Sequence, residues 1–154
     1  MPIKATQITD HIAELLAGIT VANGYPVELR QVLRGKFYED LQDAAELPVA
    51  SVVALSSGAV TGQQAPAGAQ RQRQLQIEVV VDLDNYPGLT RDAVLDAVEW
   101  SLGKALSGAV NGRGFGGLAL SAVLGDCEFN YPSPAHSLAI VQAVAEVTYL
   151  EHYR

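Results

Sequence analysis

Arg71 to Leu83 reads RQRQLQIEVVVDL, and the reading of this stretch decides the fold. Its odd positions are Arg71, Arg73, Leu75, Ile77, Val79, Val81 and Leu83; its even positions are Gln72, Gln74, Gln76, Glu78, Val80 and Asp82. Apolar and polar side chains that alternate with period two belong to a strand with one dry and one wet face. At about 3.3 Å per residue such a segment spans roughly 43 Å, far beyond the usual strand of about 5–6 residues. Its dry face gives way to two arginines at the start. A small domain cannot easily cover that length, so the overhang needs a neighbour.

The flanks of this strand supply the other elements. Upstream, SSGAVTGQQAPAGAQ at 56–70 is low in bulk and reads as a flexible loop, the tip of an extended β-arm. Before it, VASVVAL at 49–55 is a β-branched apolar run typical of a buried strand. Residues 27–34 read as a short strand or an irregular extended piece. Ile8, Ile12, Leu15, Leu16 and Ile19 line one face of a helix over 6–21. Thr6 or Thr9 is placed to cap that helix, and Asn23-Gly24 then Pro26 to stop it.

Downstream, Asp84-Asn85-Tyr86-Pro87-Gly88 is turn chemistry. Thr90 is a good cap for a second helix over 91–108, with Asp92 favoured in its first turn by the helix dipole. That helix buries Val94, Leu95, Val98, Leu102 and Leu106. Trp100 falls off the stripe, and covers either the core's edge or another subunit. A glycine-rich connection at 108–117 leads to a strand at 118–124, which Cys127–Tyr131 continues past a break at Gly125. The last strand, 138–150, has an apolar odd row from Ala139 to Tyr149.

The order α, β, β, β, α, β, β predicts an α+β fold. It is a mostly antiparallel sheet of four to five strands with two helices packed on one face and an extended β-hairpin arm. A chain of 154 residues fits a single domain over 1–154. No run of about 18 apolar residues is present, so no membrane partner is expected. The N-terminus lacks a long apolar core and reads as a helix rather than a signal peptide. The formal net charge is −7 with no basic run, which argues against specific nucleic-acid binding.

Catalytic patterns are weak. Gly112-Arg113-Gly114-Phe115-Gly116-Gly117 has the letters of a dinucleotide loop, but a helix precedes it and a strand follows, the reverse of what phosphate binding needs. His11, His136 and His152 lack the helical i,i+4 spacing of a zinc face. Cys127, the lone cysteine, has only acids beside it, which raise a thiol pKa. Asp82, Asp84, Asp126 and Glu128 flank strand ends, where solvation explains them. No catalytic residue, cofactor or metal is expected. Arg71 and Arg73 either clamp a carboxylate of a neighbouring subunit or are solvated charges at a strand's start.

The order and character of these segments resemble the tail terminator proteins of long-tailed bacteriophages, also called tail-completion or minor tail proteins. The resemblance is carried by the amphipathic first helix, LPVASVVAL at 47–55, IEVVVDL at 77–83, LTRDAVLDAVEWSLGKAL at 89–106 and the closing AIVQAVAEVTYLEHYR. It implies a structural protein, not an enzyme. Such proteins form a homohexameric ring on the last ring of the tail tube protein, stop tube growth and present a surface to the head connector or neck protein. DNA passes through the lumen without specific binding. The implied location is the virion, with the host cytoplasm during assembly. Residues expected at a subunit or tube interface are Gln63, Gln64, Arg71, Arg73, Gln74 and Trp100. The alternatives are a head-closure or neck adaptor ring, or a small oligomeric α/β enzyme. The enzyme would need His11, His136, Cys127 or the acids near 82–84 and 126–128 to converge in one pocket.

Overall fold

The Arg71–Leu83 alternation forms the central strand of a five-stranded sheet. The computed structural model describes residues 3–37, 41, 46–65, 68–108, 117–132 and 137–153, with backbone alone at 61–65. In chain order the elements are helix α1 (Lys4–Ala17), strands β1 (Gln31–Arg34), β2 (Val49–Ala65) and β3 (Gly68–Asp82), helix α2 (Arg91–Gly108), and strands β4 (Ser121–Asn130) and β5 (Leu138–His152). Short 3-10 turns lie at Val21–Asn23 and Leu83–Asn85. The lateral order is β1-β2-β3-β5-β4. Every neighbouring pair is antiparallel except β1 with β2, which run parallel. The predicted α+β architecture is therefore present, with both helices against one face.

That face is built by the odd row. Leu75, Ile77, Val79 and Val81 of β3 are fully buried, in one cluster with Ile8, Ile12 and Leu16 of α1 and Val94, Leu95, Val98, Leu102 and Leu106 of α2. Burying a side chain of this size contributes about 1.5–3 kcal/mol, so this seam dominates stability. Thr90 caps α2 as expected, accepting a hydrogen bond from the Ala93 amide at 3.2 Å. Asp92 lies in the first turn.

Helix α1 starts and ends earlier than 6–21. Its cap is Ile3, which makes no side-chain hydrogen bond, and the Thr9 hydroxyl instead donates to the Ala5 carbonyl. Gly18 closes the helix by donating to the Glu14 and Leu15 carbonyls. Asn23-Gly24 stops a separate 3-10 turn, with Gly24 at φ 88° in the left-handed region. Ile19, beyond the helix, is still buried in the core, so the apolar spacing ran on past the helical backbone.

Two further expectations change. Residues 56–70 are not a loop. β2 continues to Ala65 and β3 begins at Gly68; the two pair as far as Ala65–Gly68, with register shifts after Ala54 and after Ala59, and 66 and 67 lie outside the described residues. Nor is the even row of β3 uniformly wet. Val80 packs in a second cluster with Leu41, Val49 and Ile140, against Leu33, Leu47 and Leu138. Residues from the 33–49 region thus shelter one end of the face opposite the helices. Strand β4 is continuous over Ser121–Asn130, with a register shift between Leu124 and Cys127 where a break was expected. There Gly125 lies close to β5, since a Cβ on it would stand 3.2 Å from the Val144 carbonyl oxygen. Most of the glycine-rich connection, 109–116, lies outside the described residues, as does 133–136.

Candidate functional site

Backbone pairing locates the reactive edges of this sheet. β3 pairs with β5 from Gly68 to Asp82 and with β2 over Gly68–Ala69 and Arg71–Val80. β2 accompanies it from Val49–Val80 to Ala65–Gly68, and β5 from Leu138–Asp82 to His152–Gly68. The central strand therefore leaves no overhang, contrary to the expectation from its length. The bare backbone lies one strand further out. β1 covers β2 only at Val49–Val52. The chain then turns away, with the Gly35 amide donating to the Val52 carbonyl and the Lys36 amide to the Ser51 hydroxyl. From Ala54 to Ala59 the side chains of β2 are all exposed. Among the described residues the outer side of β4 is the other free edge, because β4 ends the lateral order.

The expected interface residues fall on different surfaces. Arg71 and Arg73 sit two apart on β3 and so share the helix-side face, beside β2. The Arg71 Nη2 donates to the Ser57 hydroxyl of β2 at 2.9 Å, which holds it within its own sheet. Arg73 lines a recess of about 380 Å³ with Thr6, Thr9, Arg34, Gly35 and Val53, and its buried Nε has no hydrogen-bond partner among the described residues. Arg34 pairs with Asp10 on α1. Gln74 points to the opposite face, where its Nε2 donates to Glu146 at 3.1 Å. Gln63 and Gln64 belong to β2, with Gln64 opposite Ala69, and their side chains lie outside the described residues. Trp100 is 54% exposed on α2, as its place off the apolar stripe implied. The Lys104 ammonium lies 5.1 Å from its ring centroid and 4.7 Å from that of Tyr25. Lys104 and Tyr25 were missed in the sequence, where they stand 79 positions apart.

The groups an enzyme would use are spread along the sheet. Asp82 pairs with Leu138 at the start of β5, Cys127 with Ala143, and Gly68, not a charged group, with His152 near the end. At about 3.3 Å per residue, Asp82 and His152 stand roughly 46 Å apart. His11 faces Glu14 one turn along its own helix at 3.6 Å, and His136 is outside the described residues. Cys127 is half-buried on β4. Burial, with Glu99 and Asp126 beside it, pushes its thiol up to about 11, so it is a poor nucleophile at neutral pH. Among the described residues no group of three or more His, Cys, Asp or Glu is placed to hold a metal ion, and no helix is long and apolar enough to cross a membrane.

A buried carboxylate also went unread. Glu78, on the face opposite the helices, is 1% exposed. It accepts hydrogen bonds from the Gln142 and Gln76 side-chain amides at 3.2 and 3.3 Å, and Gln142 in turn accepts from Asn130 at 2.9 Å. A buried charge is tolerable only with such donors. The only sequence trace was a glutamine at 142 inside an otherwise apolar run. A separate cleft of about 630 Å³ lies between Glu28, Arg30, Pro48 and Tyr86. Burial raises the Tyr86 hydroxyl pKa there, with Arg30 opposing and Glu28 reinforcing.

No family model and no curated protein matches this sequence. Among solved structures, the fold is similar to that of a chain in the virion of a native gene transfer agent (GTA) particle. The TM-score is 0.55 and the identity 13%, and the match covers 96% of each chain. At that identity the likeness establishes a shared fold from end to end.

Proposed function

We propose that this chain is a structural virion protein of a phage-like tail, which caps the tail tube as a ring, ends tube growth and offers the joining surface to the head connector. The supporting observation is the end-to-end fold likeness to a chain of a gene transfer agent virion. It is joined by a sheet with one long bare edge on β2 and another on β4. Bare edges recruit strands, and in an assembly protein that recruitment is the function. Contacts between unlike surfaces close into rings when the rotation permits. The acidic balance suits a lumen through which DNA slides, because phosphate is repelled rather than held. The partners on this reading are further copies of the chain, the tube protein and the connector.

Native mass spectrometry and electron microscopy of the purified chain, alone and added to growing tail tubes, test this. The expected result is a ring, a hexamer on the resemblance to tail terminators, seated at tube ends and fixing tube length. A chain that remains monomeric and leaves tube length unchanged overturns the proposal.

A further inference from the structure

The recess beside Arg73 holds more positive charge than its lining neutralises. Arg73 lies where the apolar odd row of β3 ends, on the helix-side face between Ser57 of β2 and the fully buried Val147 of β5. Among the described residues its buried Nε has no hydrogen-bond partner. The recess of about 380 Å³ is lined by two guanidiniums, Arg34 and Arg73, and by no carboxylate. Asp10 engages Arg34 through Nη1 but does not line the recess, and the first turn of α1 has no acid. A buried donor on a charged group costs stability until an acceptor reaches it. The same recess borders the point where β2 loses its neighbour. Its lining includes Val52, Val53 and Ala54, and β1 stops pairing at Arg34–Val52. The Val52 carbonyl points outward, to the Gly35 amide, so alternation along the strand turns the Ala54 N–H and C=O outward as well. Among the described residues no strand covers them. Residues 53–65 also contain no Lys, Arg, Asp, Glu or Pro, the residues that normally block strand addition.

We infer that this recess is a docking site for an extended acidic segment of a different protein, which adds to β2 past the end of β1 and sets a glutamate or aspartate carboxylate against Arg73. Backbone pairing supplies the register. A residue placed opposite Ala54 shares the face of Arg34, Val52 and Leu75, so its side chain stands over the recess that both guanidiniums line. Arginine forks bind carboxylates in a bidentate way, so a carboxylate there satisfies the Nε while strand addition satisfies Ala54. A second copy that prolongs this sheet with its helices on the same side does not supply the acid. Its outer strand β4 places Ala122, Leu124, Cys127 and Phe129 on that face, opposite the buried odd row of β5. Glu128 and the Gly125–Asp126 bulge fall on the other face, with Gln142 and Val144. The edges formed by 31–34 and 53–65 hold no acid at all. The carboxylate therefore belongs to another protein.

Nitrogen–proton NMR of the purified chain tests the site. The probe is a short capped peptide of alternating threonine and valine with one central glutamate, and the control is the same peptide with glutamine. On the unmodified chain the glutamate peptide is expected to shift the Arg73 Nε–H signal and the amides of residues 53–59 saturably. It should bind about tenfold or more tighter than the glutamine peptide. Arg73→Gln brings the two peptides to the same weak affinity. Ala54→Pro, tolerated because that N–H faces outward, abolishes binding of both. Circular dichroism checks each fold. No saturable shift with the glutamate peptide, equal binding of the two peptides to the unmodified chain, or a glutamate preference that survives Arg73→Gln each overturns the inference. Binding that survives Ala54→Pro overturns it too, because strand addition is then absent. Self-association that Arg73→Gln weakens and the glutamate peptide competes away also overturns it, since the recess then belongs to a second copy. The inference is independent of tube capping: rings that end tube growth while the recess ignores the peptide remove only this site.

Discussion

β2 and β5 flank the same central strand, are nearly the same length, and end in opposite conditions. The odd row of β5 is buried from Ala139 to Tyr149, the full length of its pairing with β3 to within a few residues of the tip. β2 is buried from Val49 to Val52 and exposed from Ala54 to Ala59. The cause lies in their neighbours. β4 and the residues Leu118 and Ala119 cover β5, whereas β1 protects only four residues of β2. Side chains follow suit. β5 keeps Val, Ala and Tyr on its dry side, while β2 changes to Ser, Gly, Ala, Thr and Gln. One flank of the sheet holds the fold together and the other contributes little to it.

Substitutions sharpen this contrast. The largest effect is expected for Tyr149→Ala, deep on the sheltered flank. It removes a buried aromatic ring and should cost about 3–5 kcal/mol of unfolding free energy in urea melts. A loss below about 1 kcal/mol would mean that the tip of β5 is as open as that of β2. Next is the reactivity of Cys127 on β4. With its thiol pushed up to about 11, the thiolate is scarce at pH 7.5 and grows as pH rises toward that value. Alkylation by iodoacetamide at pH 7.5 should run about a hundredfold slower than for a free thiol. A rate equal to the free thiol's would break the claim that β4 and α2 shield this position.

Glu78→Ala comes third. It strands the Gln142 and Gln76 amides in a buried site and should cost about 1–3 kcal/mol, with Glu78→Gln closer to the unmodified chain because it keeps one acceptor. Equal losses for both would show that shape rather than hydrogen bonding matters there. The smallest effect belongs to the bare flank. Leu55, 45% exposed on β2, should lose under about 0.5 kcal/mol as Leu55→Ala in the isolated chain.

The sheltered parts of the molecule were legible in the sequence and the bare flank was not. Period-two patterning revealed β3 and β5, and the stripe from Val94 to Leu106 with Thr90 before it revealed α2. These signals exist because one side of each element is buried. Residues 56–65 carry no such pattern, and those from Ser56 to Ala59 are exposed; β3 supplies the backbone template that makes the segment a strand. Small side chains and glycine therefore looked like a loop. The burial of Val80 depends on Leu41, which packs against it from a distant part of the chain, and no local window records that. Trp100 stands exposed on α2, off its apolar stripe, while Arg71 and Arg73 are half-buried on β3.

Trp100 is the sole indole in the chain, so it is a built-in optical reporter. It sits on α2 beside Lys104, half in water. Its emission should start red-shifted in the free chain. Anything that settles on the helical side will move that emission to the blue, whereas copies joined only through their sheets will leave its colour unchanged. A single fluorescence titration thus separates the two surfaces without labels.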